Sequence, residues 1–187
     1  GVYGTSVVTS VTSQNTLGVT GIQNIHLDII EKQLHAVLSD IGADAVKTGM
    51  LSSSGIIEIA AKVLKKYKIK KLVIDPVMIS KSGAKLLQDN AVQTLIHQLF
   101  PTAYLVTPNI PEAEVLSGMR ISSIEDMEQA CRKIRSTGCH AVVVKGGHLR
   151  GDATDVLFDG KKFYYFESRR FRTKNTHGTG CTFSAAI

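Results

Sequence analysis

Short β-branched runs alternate with stretches of 3.6-residue periodicity along this chain. Residues 6–12, 45–48, 71–75, 103–106 and 141–144 read as buried strands. Between them, residues 27–39 set Ile30, Leu34, Val37, Leu38 and, just beyond, Ile41 along one helical face, and residues 54–67 do the same with Ile57, Ala60, Ala61 and Leu64. Two further helices are predicted over 89–100 and 123–137, the second with Ser123 as its N-cap. Strand, helix, strand in repetition predicts an α/β domain with a mainly parallel sheet wrapped by helices. The rhythm changes near the end, where 155–158 and 162–166 flank an Asp159-Gly160 turn and read as a β-hairpin.

Composition narrows the class. The 187 residues, 43% hydrophobic and 20% charged, describe one domain spanning 1–187 that buries roughly 70% of its unfolded surface. The formal charge of +6 raises nucleic acid as a partner, but Lys62, Lys65, Lys66, Lys68, Lys70 and Lys71 cluster without stacking aromatics and read as a solvated face. Three cysteines, Cys131, Cys139 and Cys181, form no C-x-x-C pair, which argues against a disulfide framework or structural zinc and fits a reducing cytoplasm. No apolar run approaches the ~20 residues of a membrane span. The sequence opens at Gly1 and stops at Ile187, just inside a helix, and so reads as a piece of a longer polypeptide.

Candidate chemistry collects after the strands. In open parallel sheets ligands lie beyond the carboxyl ends of strands. Here those positions carry Ser13-Gln14-Asn15-Thr16, Lys47-Thr48-Gly49-Met50-Leu51, Asp75-Pro76-Val77-Met78, Thr107-Pro108-Asn109-Ile110-Pro111-Glu112 and Lys145-Gly146-Gly147-His148. All five ends are expected on one edge. There they would meet Asn175-Thr176-His177-Gly178-Thr179-Gly180-Cys181-Thr182, a glycine-punctuated turn running into a small-residue helix. Gly178 and Gly180 allow successive N–H groups to converge on phosphate oxygens, and the helix dipole adds positive potential where Cys181 sits. An ordinary glycine-bearing loop before a helix has the same signature, so context decides between the two.

In order and spacing these segments resemble the hydroxymethylpyrimidine/phosphomethylpyrimidine kinases of thiamine biosynthesis, in the ribokinase-like superfamily. The resemblance rests on Ser13-Gln14-Asn15, Lys47-Thr48-Gly49-Met50, Ile74-Asp75-Pro76-Val77-Met78, Thr107-Pro108-Asn109 with Glu112, Val144-Lys145-Gly146-Gly147-His148 and His177-Gly178-Thr179-Gly180-Cys181-Thr182, and covers nearly the whole chain. It implies a ribokinase-like three-layer sandwich lacking the family's first strand and last helices, hence a partial domain that alone folds poorly or is inactive. A homodimer, and a fused thiamine-pathway domain outside these residues, are also implied.

The implied reaction is transfer of the γ-phosphoryl group of ATP, with Mg²⁺, to 4-amino-5-hydroxymethyl-2-methylpyrimidine and then to its monophosphate. By the same resemblance Gly178, Thr179 and Gly180 form the anion hole with Cys181. The cysteine either takes the acceptor's proton or only shapes the hole. Gln14 meets the aminopyrimidine edge, with Met50 and Val77 as apolar ring contacts; otherwise Gln14 is a loop amide and Met50 core filler. Thr107, Asn109 and Lys145 lie on the nucleotide side, the plain alternative for Lys145 being a surface lysine. Glu112, beside Asn109, holds the metal, while Asp75 either joins it, balances charge or is a turn residue. Two other functions stay open, a pyridoxal kinase of the same superfamily and a non-catalytic pyrimidine-binding module.

Overall fold

Strands β1 (Ser10–Gln14) and β2 (Val19–Asn24) pair with each other as a separate antiparallel ribbon, in a computed structural model that describes residues 2–79, 86–147, 153–169 and 178–187. The expected first buried strand is thereby corrected. Residues 6–12 do not enter the central sheet, because a serine- and threonine-rich run with only Val7, Val8 and Val11 as apolar side chains suffices for a half-exposed ribbon but not for a strand covered on both faces. Its partner β2 was not anticipated.

Among the described residues the central sheet has six strands in sequence order: β3 (Val46–Thr48), β4 (Leu72–Ile74), β5 (Leu105–Val106), β6 (Ala141–Val144), β7 (Ala153–Phe158) and β8 (Phe163–Ser168). The first four pair in parallel and the last two antiparallel, so the predicted parallel core and terminal hairpin are both present. Side chains alternate across it. Leu72, Ile74, Val106, Val142 and Val144 join the large core, while Val73, Leu105, Ala141 and Val143 form a smaller cluster on the other face.

Among the described residues the α-helices are α1 (Leu27–Ala36), α2 (Ser54–Lys66), α3 (Asp89–Thr94), α4 (Ile110–Ser117), α5 (Ile124–Arg135) and α6 (Thr179–Ala186). α1 packs on α2, and α5 lies across β6 and β7. Ser123 caps α5 as predicted, its hydroxyl accepting from the Asp126 N–H while the Asp126 carboxylate returns the bond to the Ser123 N–H. The face expected to include Ile41 is interrupted. α1 runs into a π-helical turn, Val37–Ile41, whose extra residue rotates Ile41 outward to 54% exposure.

Candidate active site

Three neighbouring strand ends deliver one buried cluster. Asp75 follows β4, Thr107 follows β5 and Lys145 follows β6, and parallel pairing brings the three side chains together. Asp75 is 3% exposed. Its Oδ1 accepts from Lys145 Nζ at 3.1 Å and lies 3.4 Å from the Thr107 hydroxyl, whose one proton also has the Ile74 carbonyl within reach at 3.5 Å. Its Oδ2 accepts from Ser184 Oγ at 3.1 Å. The carboxylate therefore links three strand ends to α6. Lys145 lies inside the cluster rather than on the surface, and Thr107 is wholly buried behind Asp75.

Beside this cluster, Asn109 and Glu112 form a capping box that starts α4, a helix that hydrophobic periodicity does not announce. Asn109 Oδ1 accepts from the Glu112 N–H, and Glu112 Oε2 accepts from the Asn109 N–H, each at 2.9 Å. Glu112 Oε1 also faces the Met78 N–H at 3.4 Å. Burial pushes the Glu112 carboxyl above its usual range and the Asp75 charge adds to this, against the Asn109 and Met78 N–H groups and the Lys145 charge. Two buried acids, the charge of Asp75 reaching Glu112, stand beside Lys145 and form a pair that a cation would relieve. Magnesium suits such a place, since it is held by one or two carboxylates together with phosphate oxygens and water. Among the described residues there is no cluster of three or more metal-ligating side chains.

The glycine turn comes to the same edge. Gly178, with φ of 78°, takes the left-handed conformation that favours glycine and sits at the N-cap of α6, where the Thr182 N–H bonds to its carbonyl at 2.9 Å. A Cβ built on Gly180 would lie 3.7 Å from Lys145 Nζ, so the ammonium flanks the turn directly. Thr179 and Cys181 are both exposed in the first turn of α6. The N-terminal half of the motif, Asn175-Thr176-His177, lies outside the described residues, as does His148.

The sequence pattern of the phosphomethylpyrimidine kinase family matches residues 1–187. The chain belongs to that family. It is 53% identical over 189 residues to a thiamine biosynthesis bifunctional protein of Geobacter sulfurreducens, covering all of this chain and 38% of that protein. Among solved structures it is similar to a phosphomethylpyrimidine kinase of Clostridium difficile, with TM-score 0.83 and 43% identity over 100% of this chain and 80% of that one. It is also similar to an ADP complex of Bacillus subtilis pyridoxal kinase, with TM-score 0.90 and 42% identity over 99% and 71% of the two chains.

Within this phosphomethylpyrimidine kinase family member the residues expected on the acceptor side are spread wider than the cluster. Gln14 is exposed at the end of β1, on the separate ribbon, so the expectation that all five strand ends share one sheet edge holds for four. The ribbon is tied back to the sheet. Thr9 Oγ1 donates to the Met50 carbonyl at 2.9 Å, and Ser52 Oγ donates to Asn24 Oδ1 at 2.6 Å. Met50 and Val77 are half-buried after β3 and β4, and Val77 lines a small hollow with Thr48, Leu51, Asp75 and Leu87.

Two residues of the site were not anticipated. Ser184 shows only as a small polar residue inside Phe183-Ser184-Ala185-Ala186, and Asp155 only as an acid opening a hairpin strand. Asp155 Oδ1 accepts from the Gly146 N–H at 2.8 Å and so anchors the turn that follows Lys145.

Proposed function

We propose that these residues carry the phosphoryl-transfer site of an ATP-dependent kinase acting on 4-amino-5-hydroxymethyl-2-methylpyrimidine and then on its monophosphate. The observation that carries this reading is the meeting of the Lys145–Asp75 pair with the 178–181 turn, Gly180 against Lys145 Nζ, in a member of this family. Phosphoryl transfer asks mainly for in-line positioning and neutralisation of the equatorial oxygens. The N–H groups of the turn at the positive end of α6, with the Lys145 ammonium, supply that neutralisation. The acceptor oxygen forms its bond to the γ-phosphorus as the bond to the β-bridging oxygen breaks, and ADP leaves.

Cys181, exposed in the first turn of α6, takes the hydroxymethyl proton in the first transfer. In the second transfer the acceptor phosphate is already an anion, and that duty lapses. Mg²⁺ would be held by Glu112 and Asp75, supplying charge neutralisation on the nucleotide phosphates. Asn109 positions Glu112, and Thr107 supports Asp75 from behind on the nucleotide side. Gln14 offers a donor and an acceptor to the aminopyrimidine edge, with Met50 and Val77 against the ring.

The bifunctional relative supports a second thiamine-pathway domain on the same polypeptide, and we extend the reading to a cytoplasmic homodimer. No helix among the described residues is long and apolar enough to cross a membrane. The likeness to a pyridoxal kinase at TM-score 0.90 supports a second reading, phosphorylation of pyridoxal at this site. Mass spectrometry after incubating the full-length protein with Mg-ATP and, separately, hydroxymethylpyrimidine, its monophosphate or pyridoxal distinguishes them. Diphosphate from the first two acceptors is the expected result. Pyridoxal phosphate alone selects the second reading, and no product with any acceptor leaves a binding module.

A further inference from the structure

The contacts that α6 makes with the sheet decide where the 178–181 turn at its N-terminus stands. Two of its side chains face inward among the described residues. Phe183 packs on the small apolar cluster of Val73, Leu105, Ala141 and Val143, a contact that fixes the distance of the helix from the sheet. Ser184 is 1% exposed and reaches the strand ends themselves.

A serine inside a helix ordinarily returns its hydroxyl to a carbonyl three or four residues back. Ser184 Oγ has that option, the Cys181 carbonyl at 3.1 Å, and a second acceptor at the same 3.1 Å, Asp75 Oδ2, 109 positions away in sequence. There is one proton for the two. The carboxylate paired with Lys145 is a stronger acceptor than a main-chain carbonyl, so the proton is drawn to Asp75. The other oxygen of that carboxylate holds Lys145 Nζ, which in turn flanks Gly180. A closed circuit results, from the turn along α6 to Ser184, across to Asp75, through Lys145 and back to the turn.

We propose that Ser184 is a positioning residue for phosphoryl transfer, its hydroxyl fixing α6 and the 178–181 turn in register with the Asp75–Lys145 pair. The inference rests on the kinase reading given above. Ser184 is buried and acts through Asp75 and the turn, so its loss changes the rate of transfer rather than the binding of either substrate.

The test is Ser184→Ala in the full-length enzyme, with Mg-ATP and whichever alcohol the parent phosphorylates. We expect kcat to fall about 10- to 100-fold, as misplacement of a site from a distance does, with KM for both substrates within about threefold of the parent. In an Asp75→Ala background the same change should cost less than about threefold, because its partner is already gone. A kcat within about twofold of the parent overturns the proposal, as does an equal fold-loss in both backgrounds, which is what simple packing gives. Should the alanine variant not fold, Ser184→Cys, nearly isosteric and a weaker donor, must show the same kcat-selective loss. A parent that phosphorylates none of the alcohols removes the kinase reading, and thermal midpoints then test the link by themselves. The double variant should melt no lower than Asp75→Ala alone, and additive drops overturn it.

Discussion

Lys145 Nζ lies 3.1 Å from Asp75 Oδ1 across the intervening strand β5, with the lysine side chain 15% and the aspartate 3% exposed. Neither charge is free to find another strong partner in water at that depth. Removing one member of such a pair leaves the other desolvated and uncompensated, which costs more than the pair itself contributes. Lys145→Met is therefore expected to lower the unfolding free energy by about 3 kcal/mol and to reduce phosphoryl transfer by at least about 100-fold, since it also strips a cation from the 178–181 turn. Urea unfolding midpoints and single-turnover rates measure the two effects. A variant as stable and as fast as the parent would show that the pair is incidental.

The three thiols should separate cleanly by reactivity. Burial pushes Cys131 up to about 12 and Cys139 up to about 11, so neither presents thiolate near neutral pH, whereas Cys181 is exposed in the first turn of α6. Iodoacetamide at pH 8 should add to one cysteine of the native protein, Cys181, and Mg-ATP with the acceptor alcohol should slow that addition. Peptide mapping that finds Cys131 or Cys139 labelled at a comparable rate would contradict the buried placement of α5 and of the residues leading from it into β6.

How much was legible in sequence depended on the kind of signal each element carries. The runs that became β4 and β6 were readable because strands covered on both faces must be continuously apolar, and Ser123 was readable because a serine just before a helical apolar pattern favours the N-cap. The run 6–12 reads as a buried strand because valine and threonine favour strands in either setting, and only tertiary pairing with β2 tells a sheet core from a half-exposed hairpin. α4 carries little periodicity in its eight residues, and its evidence was the Asn109 and Glu112 spacing, taken as chemistry when it is also a capping box. Asp75 and Lys145 were recoverable as strand-end residues, and the glycine turn as a turn running into a helix. Ser184 was not, because its partner lies 109 positions away and nothing local marks it.

Asp155 supplies a pH signature. Burial raises its carboxyl above the usual aspartate value of 3.8, against the smaller opposing effects of the Gly146 N–H and the Lys145 charge. An acid whose folded value is raised keeps its proton longer in the native state than in the unfolded chain. Its contribution to stability is then fully present below the unfolded value and is lost as pH rises through the folded one. Asp155→Asn keeps an acceptor for the Gly146 N–H and cannot ionise. Melting temperatures across acidic pH should show the parent losing ground to this variant as pH rises from below about 4, and parallel curves would mean that the carboxyl is not desolvated.

The turn that Asp155 anchors also gives a steric contrast between adjacent glycines. A Cβ on Gly146 would overlap the backbone carbonyl of Thr154, which belongs to β7 and cannot swing aside as the tip of a flexible side chain can. A Cβ on Gly147 meets no atom of the described residues within 4 Å. Gly146→Ala should therefore force β7 away from the turn after Lys145, costing about 3 kcal/mol and breaking the 2.8 Å bond from the Gly146 N–H to Asp155, while Gly147→Ala should change stability by less than about 1 kcal/mol. Because the displaced turn carries Lys145, the first variant should lose phosphoryl transfer beyond what its unfolded fraction explains. Measuring the rate at a temperature where both variants are fully folded isolates that part. Equal rates there would mean that β7 absorbs the shift and leaves Lys145 against Asp75.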